Sequence, residues 1–345
     1  RKAARTGLAT PENAVLLAYG KIWLYRELLS STVPDDPFVA AAVERYFPSA
    51  LRDRFRNAMY QHPLRSEIVA TYLCNSMVNR VGSTFVHRLM QETGARPSDV
   101  VRAYLMARES FGLVQLWRET ESLKTPVEEP VRISMLILIG RLTIRATRWF
   151  LRRRMFSEDL NGVIARFAEP VRTVIESLES SVDANGFESI GKRAEELVVA
   201  GVPRPLAQRV AVSDLVQAAP DIIELAQDGA RTVQCVTHVF FMISARFDLS
   251  WFRERIAKLA TDTHWQTLAQ TALQDELDDL LRALTANVLV QSPGITRPAE
   301  LIAGWEEHNR SPFERVQQVL ADVRAADNPD LAMLSVSLRE LGNLV

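Results

Sequence analysis

The stretch SEIVATYLCNSMVNRVGSTFVHRLMQETG, residues 66–94, decides how the chain is read. Val69, Leu73 and Met77 recur at four-residue spacing, and Val78, Phe85 and Leu89 continue an apolar line around the same cylinder. Such spacing is the mark of a helix that turns one face to a core. Glycine is a natural residue to follow a helix C-terminus, so the text predicts one long helix ending at Gly94. Beside the apolar line runs a ridge of Thr71, Asn75, Asn79 and Ser83, each four residues from the last. Its groups are amides and hydroxyls, not the acids, bases and metal ligands of a reaction centre. An amide taken out of water costs stability unless it is paired, so the ridge predicts specific hydrogen bonds to another element. Asn79-Arg80 and Arg65-Ser66-Glu67 are the first candidates for those contacts.

Outward from this helix the same periodicity covers almost the whole chain, and the alternation expected of strands is rare. Prolines fall at helix starts. Thr10-Pro11-Glu12 reads as cap, proline and early acid for a helix to about Ser30. Asp36-Pro37 repeats the device before FVAAAVERYF, and Pro97-Ser98-Asp99 opens another helix. Residues 131–154 and 264–291 form long helices, the second stopped by Ser292-Pro293-Gly294. VDANGFES, residues 182–189, reads as a loop, and residues 125–130 as a proline-marked acidic break. No fixed-period repeat is present. The expectation is an all-α, irregular multi-helix assembly with no repeat solenoid and no Rossmann sheet. It divides into an N-terminal helical part, residues 1–125, and a C-terminal helical part, residues 126–345, or runs as one continuous domain.

The 345 residues are 47% hydrophobic and 24% charged, which suits a globular protein with one large core or two moderate ones. A net charge of -1 gives no pull toward nucleic acid or an anionic membrane. TVQCVTHVFFMISA, residues 232–245, is the longest strongly apolar uncharged stretch. It is shorter than the roughly 20 residues of a membrane span, and reads as a buried helix. Cys74 and Cys235 lie in apolar helical text as small hydrophobes, which fits a reducing cytoplasm. The chain starts with Arg rather than Met, shows no signal-peptide pattern after Arg1-Lys2, and is expected to be part of a longer polypeptide.

Chemistry is thinly represented. The 14 glycines are scattered and form neither GxGxxG nor a P-loop, so no cofactor site is expected in this chain. None of the five histidines (62, 87, 238, 264, 308) stands at metal-ligand spacing. His238 reads as a hydrogen-bonded core residue, and His264 as a capping or interface residue. Asp275, Glu276, Asp278 and Asp279, flanked by Arg282, read as a solvated face, as do Glu306, Glu307 and His308. Arg141, Arg145, Arg148 and Arg152 share one helix face. That stripe is a solvated or salt-bridged face, grips an acidic protein partner, or meets the phosphates of a nucleotide or nucleic acid.

The long helix, TPENAVLLAYGKIWLYRELLSSTVPDDPF (10–38), ERYFPSALRDRF (44–55), ARESFGLVQLW (107–117), RATRWFLRRR (145–154), GVPRPLAQRVA (201–211), HWQTLAQTAL (264–273) and DLAMLSVSLRELGNL (330–344) occur in one order. Together they resemble the C-terminal region of the large bacterial NAD-specific glutamate dehydrogenases. Residues 176–199 and 291–309 match least. The resemblance implies a parent oxidoreductase of amino-acid catabolism that converts L-glutamate with NAD to 2-oxoglutarate and ammonia. Its catalytic residues and its NAD site would lie upstream, and no position here matches their motifs. It further implies a cytoplasmic homo-oligomer in which this region contacts the catalytic domain of the same polypeptide, with neither nucleic acid nor membrane as partner. On that view the ridge of residue 71 to residue 83 hydrogen-bonds either within the domain or to the preceding core. Two other functions stay open. One is a free-standing helical scaffold using the arginine stripe. The other is an amino-acid effector module, in which Arg80 or Arg209 would meet the ligand carboxylate.

Overall fold

Periodicity of about 3.6 residues with little β-pattern leaves the chain one way to satisfy its backbone, through helices. The computed structural model describes residues 7–124, 126–291, 294–326 and 328–345. Those residues form nineteen α-helices and three short 3₁₀ turns, without a strand. Arg1-Lys2, Thr125 of the expected break, Ser292-Pro293 of the expected stop and the side chain of His264 lie outside the described residues.

The first helices are α1 (Thr10–Leu29), α2 (Pro37–Ala40), α3 (Ser49–Tyr60), α4 (Arg65–Val81), α5 (Phe85–Thr93), α6 (Pro97–Ser110), α7 (Leu113–Glu121) and α8 (Glu129–Arg152). Then come α9 (Leu160–Ser181), α10 (Ala184–Val199), α11 (Arg204–Ala211), α12 (Ser213–Val216), α13 (Ala219–Asp228) and α14 (Val233–Arg246). The chain finishes with α15 (Leu249–Ala257), α16 (His264–Gln291), α17 (Pro298–His308), α18 (Arg310–Ala325) and α19 (Leu331–Gly342).

The expected single helix from Ser66 to Gly94 is two helices, α4 and α5. Gly82 breaks it, with φ at +90°, a conformation that a residue with a Cβ rarely adopts. Gly94, at φ +69°, does end α5 as a left-handed cap. VDANGFES is not a loop: α10 starts inside it at Ala184, and the Asp183 carboxylate accepts from the Gly186 N–H at 2.9 Å. At the first helix the proline and acid act as expected, yet the cap position is Ala9, whose N–H donates to Glu12 Oε2 at 2.7 Å. After Pro37 the predicted helix shortens to one α turn and a 3₁₀ turn over Ala41–Tyr46, with Asp36 accepting from the Phe38 N–H at 3.0 Å.

The chain folds into two units, residues up to 169 with 194–217, and residues 170–193 with 218–345. None of the three boundaries between these segments falls at residue 125. Helices α6 and α8, on either side of that residue, pack on each other inside the first unit. There α6 is the central helix: Val100, Val101, Ala103, Tyr104, Leu105, Met106 and Ala107 are all buried, and α5, α7 and α8 cover it. A helix apolar on nearly every side has to be enclosed by others. In the second unit α14 has that place, packed by α13, α15, α16 and α17, with Val236, Val239, Phe240 and Ile243 buried. Among the described residues no helix is long and apolar enough to cross a membrane.

Candidate interface

Residues Thr71, Asn75 and Asn79 lie on the exposed side of α4, and the buried side is Val69, Ala70, Leu73, Cys74, Met77 and Val78. The ridge therefore faces water within this chain, and no desolvation cost forces it to find partners. Asn75 Oδ1 accepts from Lys21 Nζ of α1 at 2.8 Å. Ser83 lies beyond the end of α4, where α1 crosses closely: a Cβ on Gly20 would stand 3.1 Å from Ser83 Cβ. So Ser83 marks a helix crossing that glycine makes room for.

Arg80 has a different task. Its guanidinium forms a two-pronged pair with Glu121 of α7, the second contact at 2.8 Å, and lies 5.2 Å from the Trp117 ring. The hydrogen bond to Glu121 is the main cause that raises its pKa further. Arg209 pairs with Glu119 of the same helix α7. Both arginines considered for a ligand carboxylate thus hold protein carboxylates, and α7 is clamped from two sides. Arg65 pairs with Asp35.

Arg141, Arg145, Arg148 and Arg152, four of the five arginines of α8, do share one side of that helix, and the structure separates their surroundings. Arg148 is 3.3 Å from Glu92 of α5, and Arg145 Nη1 donates to Gln217 Oε1. Arg141, Arg145 and Arg152 are exposed. Phe150 on the opposite side is fully buried against Phe167, ring centroids 5.3 Å apart.

Two features of this unit are not singled out by spacing. Arg108 is only 5% exposed in the last turn of α6. Its Nε donates to Glu109 at 2.6 Å and its Nη1 reaches Ser76 Oγ of α4 at 3.4 Å; the Ser76 hydroxyl is 2.9 Å from Tyr104 Oη. Burial raises the Tyr104 pKa, keeping it a neutral phenol that can share this hydrogen bond. Arg102, nearly two turns earlier, donates to the carbonyls of Phe156 and Glu158 at 2.7 and 2.9 Å, and to Asp36 at 2.8 Å. The only trace of either in the sequence is an arginine amid apolar text. The second feature is α1, which is apolar on both sides. Leu24 and Leu28 are buried, while Val15, Tyr19 and Ile22 are exposed.

The second unit is held by polar links at its edges. Arg282 lies 3.3 Å from Asp221 and 3.1 Å from Glu224 of α13, not among the acids of its own helix. Asp278 pairs with Arg253 at 2.7 Å. Asn287 Oδ1 accepts from the buried Trp305 Nε1 at 2.8 Å. His238 Nδ1 is 2.8 Å from the Gln234 carbonyl in its own helix. A depression of about 550 Å³ beside Thr232 and Cys235 is lined by Arg231, whose donors are directed to the carbonyls of Leu289 and Ile295. Among the described residues no three His, Cys, Asp or Glu side chains converge as a metal site.

The candidate residues thus describe surfaces and struts, and comparison with known proteins gives them a context. Residues 5–343 match the family described as "Glutamate dehydrogenase, C-terminal". The chain is 37% identical over 338 residues to the NAD-specific glutamate dehydrogenase of Halomonas elongata, covering 98% of this chain. It is 34% identical to that of Pseudomonas aeruginosa, over 100% of this chain, and 32% identical to that of Mycobacterium tuberculosis, over 99%. In each case the chain spans 21% of the relative's length. With its whole helical array inside the match, this chain belongs to the family of glutamate dehydrogenase C-terminal regions.

Proposed function

We propose that this chain is the non-catalytic C-terminal region of an NAD-dependent glutamate dehydrogenase and serves the assembly or regulation of the catalytic core. The parent reaction is L-glutamate, NAD and water to 2-oxoglutarate, ammonia and NADH. The observation that carries this reading is the match over residues 5–343 to a family described as C-terminal, by a chain spanning 21% of its relatives. A second support is fold class. Dinucleotide sites of the usual kind lie at the ends of parallel strands, where a Gly-rich turn meets a helix N-terminus. The described residues form helices alone.

The role is then mechanical. Struts such as Arg80–Glu121, Arg209–Glu119 and Arg102–Asp36 fix the helices of the first unit, so that the unit presents a rigid surface to the rest of the protein. The parent acts in the cytoplasm as a homo-oligomer, with the catalytic domain of the same polypeptide as the partner of this region. The test is glutamate-dependent NADH formation, measured for this chain and for the full-length polypeptide that contains it. No turnover by the chain alone, with turnover by the full-length protein, is the expected result. Turnover by the chain alone would overturn the reading.

A further inference from the structure

The outward side of α1 is an uncovered apolar surface of the first unit. At 100° per residue, Val15, Tyr19, Ile22, Arg26 and Leu29 fall on one stripe, and Leu24 and Leu28 lie about 180° away, against the unit. Val15 is 54% exposed, Tyr19 69% and Ile22 48%, while Leu24 and Leu28 are 1% and 0%. Leu16, at 52%, widens the stripe, and Leu17, at 39%, is exposed on the side of Leu24 and Leu28, because residues 13–19 are exposed on every side of the helix. Elsewhere on this unit exposed large apolar side chains come singly or in pairs, such as Ile133 with Ile137. Scattered apolar residues need no explanation; a continuous stripe along a helix does. The helix that carries it is held in place by its other side, by Lys21 on Asn75 and by the Gly20–Ser83 crossing. The helix is therefore docked over residues 20–28, and its first half projects from the unit with its apolar side chains uncovered.

We propose that this stripe is the docking surface for the part of the same polypeptide that precedes this region. The inference rests on the reading of the chain as a C-terminal region. In the relatives about four-fifths of the length lies outside the match, and the matched family is the C-terminal one, so the missing mass is joined to the α1 end. A tethered domain meets α1 at a high effective concentration, which a second copy in solution does not. The stripe has one charge along it, Arg26, so its counterpart is an apolar surface and not an acidic or basic one.

The experiment places a photo-crosslinking phenylalanine analogue at Tyr19 in the full-length polypeptide. The same analogue at Tyr46 is the matched control, since it is equally exposed at 69% on another part of the unit. The expected result is a several-fold higher cross-link yield from position 19, to peptides upstream of this chain, at monomer mass on a denaturing gel. A product of doubled mass would mean that another copy covers the stripe, and a yield no higher than at position 46 would mean that nothing does. Either overturns the proposal. Upstream cross-links in a protein without glutamate-dependent NADH formation would leave the docking intact and remove the enzymatic reading instead.

Discussion

In the first unit Arg108 on α6 reaches Ser76 on α4 across 32 residues of sequence, and Ser76 in turn meets Tyr104. In the second unit the buried polar side chains described are five hydroxyls, and each donates to a carbonyl four residues back in its own helix. Ser177, Ser181, Thr237, Thr285 and Ser337 do so at 2.6–2.8 Å. A hydroxyl returned to its own helix is satisfied before any tertiary contact forms, so it is indifferent to which helix packs on it. The arginine is paired with Glu109 on its own helix, but its Nη1 meets Ser76 only when α4 stands in one place. Thus the first unit has a polar contact that selects its helix pairing. In the second unit selection falls to shape, to the buried Trp305 indole N–H on Asn287 of α16, and to polar links nearer the surface, such as Arg282 with Asp221 and Glu224.

The largest effect that could break this comparison is at Arg108. Arg108→Ala strips a buried charge network of its cation and should cost about 3 kcal/mol of local stability. Thr285→Val, which swaps a self-satisfied hydroxyl for a methyl of like shape, should cost no more than about 1 kcal/mol. Hydrogen exchange of the α6 and α16 amides reads the two units separately. Equal losses at both sites would remove the distinction.

A smaller contrast is carried by the two free thiols. Burial pushes Cys74 up to about 12, with Lys21 partly opposing it, and burial also raises Cys235, opposed by Arg231. An unfolded thiol ionises near the ordinary value of 9.0, so the raised folded pKa of Cys74 contributes stability that is fully present below pH 9.0. That contribution is lost as pH rises from 9.0 toward about 12. Cys74→Ala should flatten the alkaline decline in stability of the first unit. At pH 8 a maleimide should label the partly exposed Cys235 before the buried Cys74. Labelling in the opposite order would mean that α4 opens more readily than its packing implies.

The smallest effect belongs to the ridge. Asn75→Ala combined with Asn79→Ala removes one exposed hydrogen bond, to Lys21, and should change thermal stability by no more than about 0.5 kcal/mol. A large loss in the full-length protein, with none in this chain alone, would show that the ridge as well as α1 is covered there.

Helices were legible because their signals are local. Pro11, Asp36, Gly94 and Thr232 act at helix ends as their chemistry requires, and the apolar run of residues 232–245 is the central helix of its unit. The break at Gly82 was not legible, since a glycine inside apolar periodicity is as compatible with a continuous helix as with a positive φ. For VDANGFES the turn-forming composition concealed a helix start, because Asp183 serves equally in a turn and as a cap. At the ridge, four-residue spacing correctly aligned Thr71, Asn75 and Asn79 but could not tell whether that line faced a neighbour or water.

The chain alone therefore determined that this protein is helical, that α14 is buried, and which family it resembles, since caps, periodicity and shared text are all properties of consecutive residues. Only the tertiary structure decided that Arg80 and Arg209 grip α7, that Arg108 meets Ser76, and that the outward side of α1 is left uncovered. Those facts depend on which distant segments come together. An arginine or an apolar helix side fits many neighbours until packing fixes one of them.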